Sequence, residues 1–415
     1  MIPEEFSYSE NDPILEKWLE SHFGNEVFTP DQNRLKKYFS SFKEKFNKAK
    51  VPIITIAGTN GKGEVALLLE SLLLENGLQP LLWTSPHVMT VRERFSFSGK
   101  LVENSRLLKL FESLGESELS YYEFLFYCFC HLSLEEVKKL SKPILILEVG
   151  LGGRLDATNF FDADLAVLTS IGRDHMELLG PTLSDVLREK LGITRANKPL
   201  ICAVQQNYLK KLTKNFCTEN SVNLQQIENE DSLSFKEINR MTALTAFKTF
   251  IKSMDISAYS LSIPNKLWAR PFEVTYKSCQ FILIGSHNLD GLRHLAKWVN
   301  NTDQFVDEAC FKFDELWIGL SRKPGKDLDQ CLSLIHKSPC LGELISFAGF
   351  DHPRATPLKA IKESWSKLDQ GRKVRFEESW RTYLQNLSSE QRVLVCGSNY
   401  FIGEILKSSD LKLYL

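Results

Sequence analysis

The stretch Ile54 to Glu70, ITIAGTNGKGEVALLLE, constrains this 415-residue chain more than any other. An apolar run (Ile53, Ile54, Ile56) ends in Ala57-Gly58-Thr59-Asn60-Gly61-Lys62-Gly63. An amphipathic helical pattern (Val65, Leu67, Leu68, Leu69, Leu72, Leu73) follows at once. Strand, glycine-rich turn and helix in that order make a phosphate cradle. Glycines let backbone N–H groups approach an anion, the helix N-terminus adds partial positive charge, and Lys62 adds a full one. A bare turn needs neither three glycines nor a lysine. The spacing is not the common G-x-x-x-x-G-K-[ST], because Ile56 stands five places before Gly61.

Length makes two domains the expectation. With 43% hydrophobic and 25% charged residues and a net charge of -1, the chain lacks the basic surface of a general nucleic-acid binder. Nine scattered cysteines, none in a CxxC pair, read as free thiols of a reducing cytoplasm. The polar, acidic start MIPEEFSYSENDP has no signal-peptide pattern, and no apolar run approaches the roughly 20 residues of a membrane helix. A cytoplasmic protein that is not membrane-bound is expected.

Residues 14–46 read as two amphipathic helices around a turn near Gly24 to Pro30. After the phosphate loop, Leu81 to Trp83 is a second strand leading to Thr84-Ser85-Pro86-His87. Helical patterns occupy 103–115 and 121–139, and the aromatics of the second (Tyr121, Tyr122, Phe124, Phe126, Tyr127, Phe129) read mainly as core. Pro143 to Val149 is apolar up to Glu148, as a strand buried on both faces is, and breaks into GLGGRLDATN. Leu165 to Ser170 precedes Asp174-His175, a helix over LSDVLREKLGITR follows, then the strand PLICAV. Strands alternating with helices predict a doubly wound parallel sheet, whose ligands bind beyond the carboxyl ends of strands. From about 205 to 236 the chain turns polar, and Asn239 to Phe250 is again helical. The domain boundary is placed at 262/263. Beyond it a smaller, Rossmann-like α/β domain is expected, with strands at Phe281–Ile284, Leu316–Gly319, Leu344–Phe347 and Val393–Val395.

Three polar residues end separate strands and could share a cation: Ser85, Glu148 and His175. A lone Glu closing an apolar run is costly to bury unpaired, and a cation is its natural partner. Glu64, in the first turn of a helix, either complements the helix dipole, worth ~0.3–1 kcal/mol, or reaches a cation itself. Lys190, by spacing alone, is an exposed helix lysine. His287 and Asn288 follow a buried strand, and Asn288 reads equally as a helix cap or a ligand-facing group.

Taken in order, GTNGKG, TSPH with ERF, SYYEF, LEVGLGGRLDATN, TSIGRDH, REKLGI, SHN, FDHPRA and GSNYFIGE resemble the folylpolyglutamate synthase/dihydrofolate synthase family of Mur-type ligases over nearly the whole chain. The resemblance implies an N-terminal P-loop-type ATPase domain (1–262) and a smaller C-terminal α/β domain (263–415), with the active site between them. It implies that Gly58, Thr59, Asn60, Gly61, Lys62 and Gly63 bind the phosphates of ATP, helped by Asn239, Arg270, His287 and Asn288. Ser85, Glu148 and His175 correspond to Mg²⁺ ligands, and Lys190 to a lysine that is carbamylated to hold a second Mg²⁺. Tyr121, Tyr122, Glu123 and Phe124, with Gly153, Arg154, Leu155 and Asp156, fall on the folate-binding segments. Lys62, Lys190 and His287 are the residues expected to serve catalysis.

Departures gather on the nucleotide side. Glu64 replaces a Ser or Thr, Ile284 an aspartate and Leu289 a proline, and W-P-G-R reads Trp268-Ala269-Arg270-Pro271. The chemistry implied is ATP-dependent joining of L-glutamate to dihydropteroate or reduced folates by a monomer. A weak or inactive folate- or nucleotide-binding relative is the alternative.

Overall fold

The computed structural model describes residues 12–23, 30–228, 233–254, 256, 259–261, 272–300, 313–322, 325–368, 371–388 and 390–408. The chain divides into two compact units, one of Tyr8–Ala269 and one that includes Arg270–Leu415. The expected boundary at 262/263 lies outside the described residues, as do Trp268 to Pro271.

In the first unit the strands are β1 (Ile53–Ala57), β2 (Gln79–Trp83), β3 (Phe95–Phe97), β4 (Lys100–Leu101), β5 (Pro143–Glu148), β6 (Leu165–Leu168), β7 (Pro199–Cys202) and β8 (Asn223–Gln226). They form one sheet in the order β4-β3-β2-β5-β1-β6-β7-β8. From β2 to β8 all neighbours are parallel, whereas β3 and β4 add an antiparallel edge. The helices are α1 (Asp12–Phe23), α2 (Gln32–Lys48), α3 (Lys62–Glu75), α4 (Asn104–Leu114), α5 (Tyr121–Val137), α6 (Met176–Leu179), α7 (Leu183–Leu191), α8 (Asn207–Glu219) and α9 (Phe235–Ser253).

Alternation along the strands sorts the helices into two layers. Ile54, Ile56, Ile144, Ile146, Leu165 and Val167 face one way and pack with α3 and α9. Ile53, Leu81, Trp83, Leu145 and Leu147 face the other way, onto the aromatic core of α1, α2, α4 and α5. Leu168, Leu200 and Cys202 pack with the apolar sides of α7 and α8. Phe124, Phe126 and Phe129 are fully buried in that aromatic core, as their helical spacing suggests.

The polar stretch 205–236 is where the structure differs most from the sequence reading. It holds α8 and β8. The apolar contribution of α8 is a one-residue-wide stripe, Leu209, Thr213 and Cys217, and β8 is an edge strand with no buried residue, so neither leaves a strong pattern.

The second unit has strands β9 (Phe272–Tyr276), β10 (Cys279–Ile284), β11 (Glu315–Gly319), β12 (Leu344–Ala348), β13 (Lys373–Glu377) and β14 (Arg392–Gly397), ordered β13-β12-β11-β14-β10-β9. All are parallel except β9, which pairs antiparallel with β10. Helices α10 (Leu289–Asn300), α11 (Gly325–His336), α12 (Leu358–Trp365), α13 (Arg381–Gln385) and α14 (Asn399–Lys407) complete it. Its main core joins Leu292, Leu316, Ile318, Leu332, Ile345 and Leu394.

Candidate active site

The loop between β1 and α3 is built as a cradle and held from β6. Thr59 N–H donates to the Ser170 carbonyl at 2.7 Å, and Asn60 N–H to Ser170 Oγ at 2.9 Å. Thr169 Oγ1 in turn donates to the Asn60 carbonyl at 2.7 Å. These bonds use loop groups on the β6 side. Gly61 is the N-cap of α3 with φ +87°, a left-handed conformation that glycine adopts without penalty. A Cβ there would also meet the Asn239 carboxamide at 2.6 Å. Lys62 opens the helix, and its Nζ lies 3.4 Å from the Thr59 carbonyl.

Glu148 ends β5, and its pairing with Ile56 sets it beside the loop. Its side chain lies on the Ile144/Ile146 face, beneath the start of α3. A Cβ on Gly63 would stand 3.6 Å from its Oε2. The Ser85 N–H donates to Glu148 Oε2 at 2.9 Å, across the cis Ser85–Pro86 corner. Burial pushes the Glu148 carboxyl up to about 7, against the pull of Lys62, the Ser85 N–H and Arg94. Ser85 Oγ is buried, with no hydrogen-bond partner among the described residues.

Lys190 corrects the spacing-based expectation: it is 4% exposed rather than a surface lysine. It sits in the last turn of α7 and its Nζ donates to the Gly58 carbonyl at 2.8 Å. Burial and the charge of Lys62 lower it to about 7, with Asp174 and Asp156 opposing. Gly153 makes this fit possible, since a Cβ there would lie 2.8 Å from the Glu189 carbonyl and 3.0 Å from Lys190 Cα.

His175 lies at the start of α6 with φ 49° and its side chain 48% exposed. Its Nδ1 is 3.7 Å from Glu177, and its Nε2 is 4.0 Å from Asp174. Among the described residues no three His, Cys, Asp or Glu side chains converge as a metal cluster. The Ser85, Glu148 and His175 set contains two residues of those types.

The folate-side candidates divide by burial. Asp156 is buried and serves the loop itself: it accepts from Gly150 N–H, Leu151 N–H, Thr158 N–H and the Tyr122 hydroxyl, each at 2.9–3.1 Å. Glu123 caps α5 through the Ser120 N–H and pairs with Arg34 at 2.9 Å. Phe124 is wholly in the core, whereas Tyr121 and Tyr122 are half-buried. Arg154 is exposed and bonds Glu189 through Nε and Nη2 at 3.0 and 2.9 Å, and Leu155 is half-buried.

In the second unit Asn288 caps α10: its Oδ1 accepts from Gly291 N–H at 2.8 Å. His287 and Ile284 are half-buried near the end of β10. Arg270 lies outside the described residues. Sequence reasoning passes over Arg94, Thr169 and Ser170. Arg94 is 2% exposed, donates to His87 Nδ1 at 3.0 Å and lies over the Tyr121 ring at 5.6 Å. Thr169 and Ser170 follow an apolar strand as Ser85 does, the same signal.

The profile of the Mur ligase middle domain matches residues 56–270, just over half of the chain. The chain belongs to the Mur ligase family. Within that family it is 27% identical to the dihydrofolate synthase/folylpolyglutamate synthase of Bacillus subtilis, over 86% of this chain and 90% of that protein. Escherichia coli FolC in complex with DHPP and ADP superposes with a TM-score of 0.75 at 24% identity, covering 98% of this chain and 99% of that one. The bifunctional synthase of Yersinia pestis, complexed with AMPPNP and Mn ion, gives 0.73 at 22% identity, covering 98% and 99%. This Mur ligase family member thus shares their two-unit α/β fold. No helix among its described residues is long and apolar enough to cross a membrane.

Proposed function

We propose that this protein is an ATP-dependent amide ligase that adds L-glutamate to dihydropteroate, to reduced folates or to both. The observation that carries the reading is the meeting of a phosphate loop, Glu148 and buried Lys190 at one sheet edge. That arrangement lies in a chain similar to dihydrofolate synthase/folylpolyglutamate synthases over most of its length. The substrate carboxylate attacks the γ-phosphorus of ATP, forming an O–P bond as ADP leaves. The amine of glutamate then attacks the acyl carbon, loses a proton, and phosphate departs. Such a reaction asks the protein mainly for positioning and charge neutralisation.

Lys62 and the N–H groups of Gly61 to Gly63 hold the phosphates, on a loop whose Thr59 and Asn60 N–H groups are fixed by Ser170. Ser85 and Glu148 suit Mg²⁺: the Ser85 N–H meets the buried carboxylate, the Ser85 hydroxyl has no partner among the described residues, and the two side chains supply oxygens, which a hard cation prefers. His175 and carbamylated Lys190 complete the set. When bound, the cation neutralises charge on the transferring phosphoryl group. A lysine lowered to about 7 has a sizeable neutral fraction at neutral pH, the form that attacks CO₂ and becomes a carbamate on losing its proton. Asn239, Arg270 and His287 serve the nucleotide, and Asn288 positions His287 through its helix cap. Tyr121, Tyr122, Arg154 and Leu155 face the acceptor, with Glu123, Phe124, Gly153 and Asp156 shaping their segments. Similar proteins carry synthase names, which does not favour a non-catalytic relative. The near-neutral charge and the free, mostly buried cysteines among the described residues support a cytoplasmic protein acting on small molecules without nucleic acid, and the proposed state is a monomer.

The test is a product assay by mass spectrometry. Protein, MgATP, L-glutamate and bicarbonate are mixed with 7,8-dihydropteroate or tetrahydrofolate. A glutamate adduct of either acceptor is expected and identifies the acceptor used; no adduct of either overturns the reading.

A further inference from the structure

Tyr122 is the second residue of α5, and its hydroxyl reaches two strand ends and the loop after β5. It donates to Asp156 Oδ1 at 3.1 Å and accepts from the Gly150 N–H at 3.0 Å and from Trp83 Nε1 at 3.3 Å. A phenolic oxygen has one proton and two lone pairs, so these three bonds use up its capacity. Burial and the charge of Asp156 push the hydroxyl well above its ordinary pKa, which keeps the proton on the donor. The ring lies against Gly150, where a Cβ would stand 2.6 Å from Cε2 and 2.7 Å from Cζ. Only the ring is left to meet a ligand. Asp156 meanwhile clasps its own loop through the N–H groups of Gly150, Leu151 and Thr158. That loop is fixed to α7 by backbone, since the Arg154 N–H donates to the Glu189 carbonyl at 2.8 Å. Towards α5 it is tied through the Tyr122 hydroxyl. One oxygen thus sets the spacing between the two segments that hold the acceptor.

We propose that the Tyr122 hydroxyl is a positioning group for the acceptor site, locking the start of α5 to the loop after β5 without touching the acceptor. The proposal rests on the ligase reading, which supplies the acceptor. Without the hydroxyl, the loop keeps its Asp156 clasp and its backbone bond to α7 but loses its register against α5. Acceptor binding then weakens. The phosphate loop, held from β6, and Lys190, carried by α7, stay as they are. The buried Trp83 N–H also loses its acceptor, a cost that falls on stability.

Kinetics of the full chain, wild type and Tyr122→Phe, test it with 7,8-dihydropteroate and tetrahydrofolate as acceptors, beside hydrogen exchange of the ligand-free proteins. Phenylalanine removes one oxygen and keeps the ring. Y122F is expected to raise the acceptor KM by about tenfold. Its kcat and its KM for MgATP should stay within about threefold of wild type. Amides of the loop from Gly150 to Thr158 should exchange about tenfold faster in ligand-free Y122F than in wild type. Gly150→Ala, whose methyl would displace the same ring, should show the same split. Melting curves show whether each variant folds, and Gly150→Ala decides if Tyr122→Phe does not. A raised acceptor KM with unchanged exchange overturns the proposal, marking the hydroxyl as a direct acceptor contact. Losses spread alike over kcat and both KM values overturn it too, marking the bond as merely structural. Wild type that forms no glutamate adduct overturns the ligase reading and this proposal together. A wild-type adduct with unaltered acceptor KM in Y122F overturns this proposal alone.

Discussion

Lys62 stands between two buried groups of opposite kind. Its charge draws the Glu148 carboxyl down and pushes the Lys190 amine down, in each case against or with a larger burial effect. Replacing it therefore does more than remove one phosphate contact. In Lys62→Met both neighbours move up, Glu148 towards the protonated acid and Lys190 towards the ammonium. The cradle then loses its cation and Glu148 its ionised form together. Turnover of ATP in the glutamate-adduct assay is expected to fall by about 10²–10³-fold, the scale of one lost charge-stabilising donor. Thermal unfolding should stay near that of wild type, because Lys62 is only half-buried. A variant with more than about a tenth of wild-type turnover contradicts the placement of Lys62 on the phosphates.

At the scale of elements, the site is a matter of which strand ends and helix turns touch. Gly153 lets the loop after β5 press on the last turn of α7, where Lys190 sits. In Gly153→Ala the new methyl meets backbone, the Glu189 carbonyl and Lys190 Cα, and no side-chain rotation relieves it. Denaturant unfolding should show a loss of about 1–3 kcal/mol, the usual cost of overpacking. Gly371→Ala, where a Cβ meets nothing within 4 Å among the described residues, should stay within about 0.5 kcal/mol of wild type. Equal losses in the two would mean that the β5 loop does not depend on this contact. The same elements show what the sequence could tell. Strands β1, β5 and β6 are apolar runs ending in glycine or polar residues, so the loop, Glu148 and a parallel sheet around them were legible, whereas the strand order was not. Helix α8, with its stripe of Leu209, Thr213 and Cys217, was not, because so few buried residues make no clear period. The hairpin edge of β3 and β4 was hidden for a different reason: strands of three and two residues are too short to alternate visibly. Lys190 was misjudged because helical spacing reports the face of a helix, while its burial depends on Gly153, distant in sequence.

For the whole molecule, buried ionisable groups set how stability responds to pH. Glu70 lies in α3 facing the sheet, 5% exposed, with Ser96 Oγ donating to its Oε1 at 2.5 Å. Burial raises its carboxyl to about 7 from an ordinary 4.5, against the hydrogen bonds from Ser96 and Gly99. Glu148 behaves alike. For a raised acid the folded state binds more protons than the unfolded one between the two values. Its contribution is complete below about 4.5 and is lost as pH climbs through about 7. Lys190, lowered to about 7 from 10.5, acts in the next window: its contribution grows as pH rises from about 7 to 10.5. His131 and His294, both lowered by burial, add stability with rising pH just below 6.5, partly offsetting the carboxyls there. The sum is a trough of stability near neutrality in the ligand-free protein, where a protein of exposed ion pairs has a plateau. Glu70→Gln isolates one arm, because glutamine keeps an oxygen for Ser96 and cannot ionise. Each pKa unit is worth about 1.4 kcal/mol. E70Q should therefore match wild type at about pH 4.5 and exceed it by about 3 kcal/mol once pH passes about 8. Denaturant unfolding across that range reads the difference directly. A difference that is flat with pH, or that grows towards acid, would mean that Glu70 is ionised in the folded state at neutral pH. The fold would then hold a buried charge between α3 and β3 rather than a neutral acid.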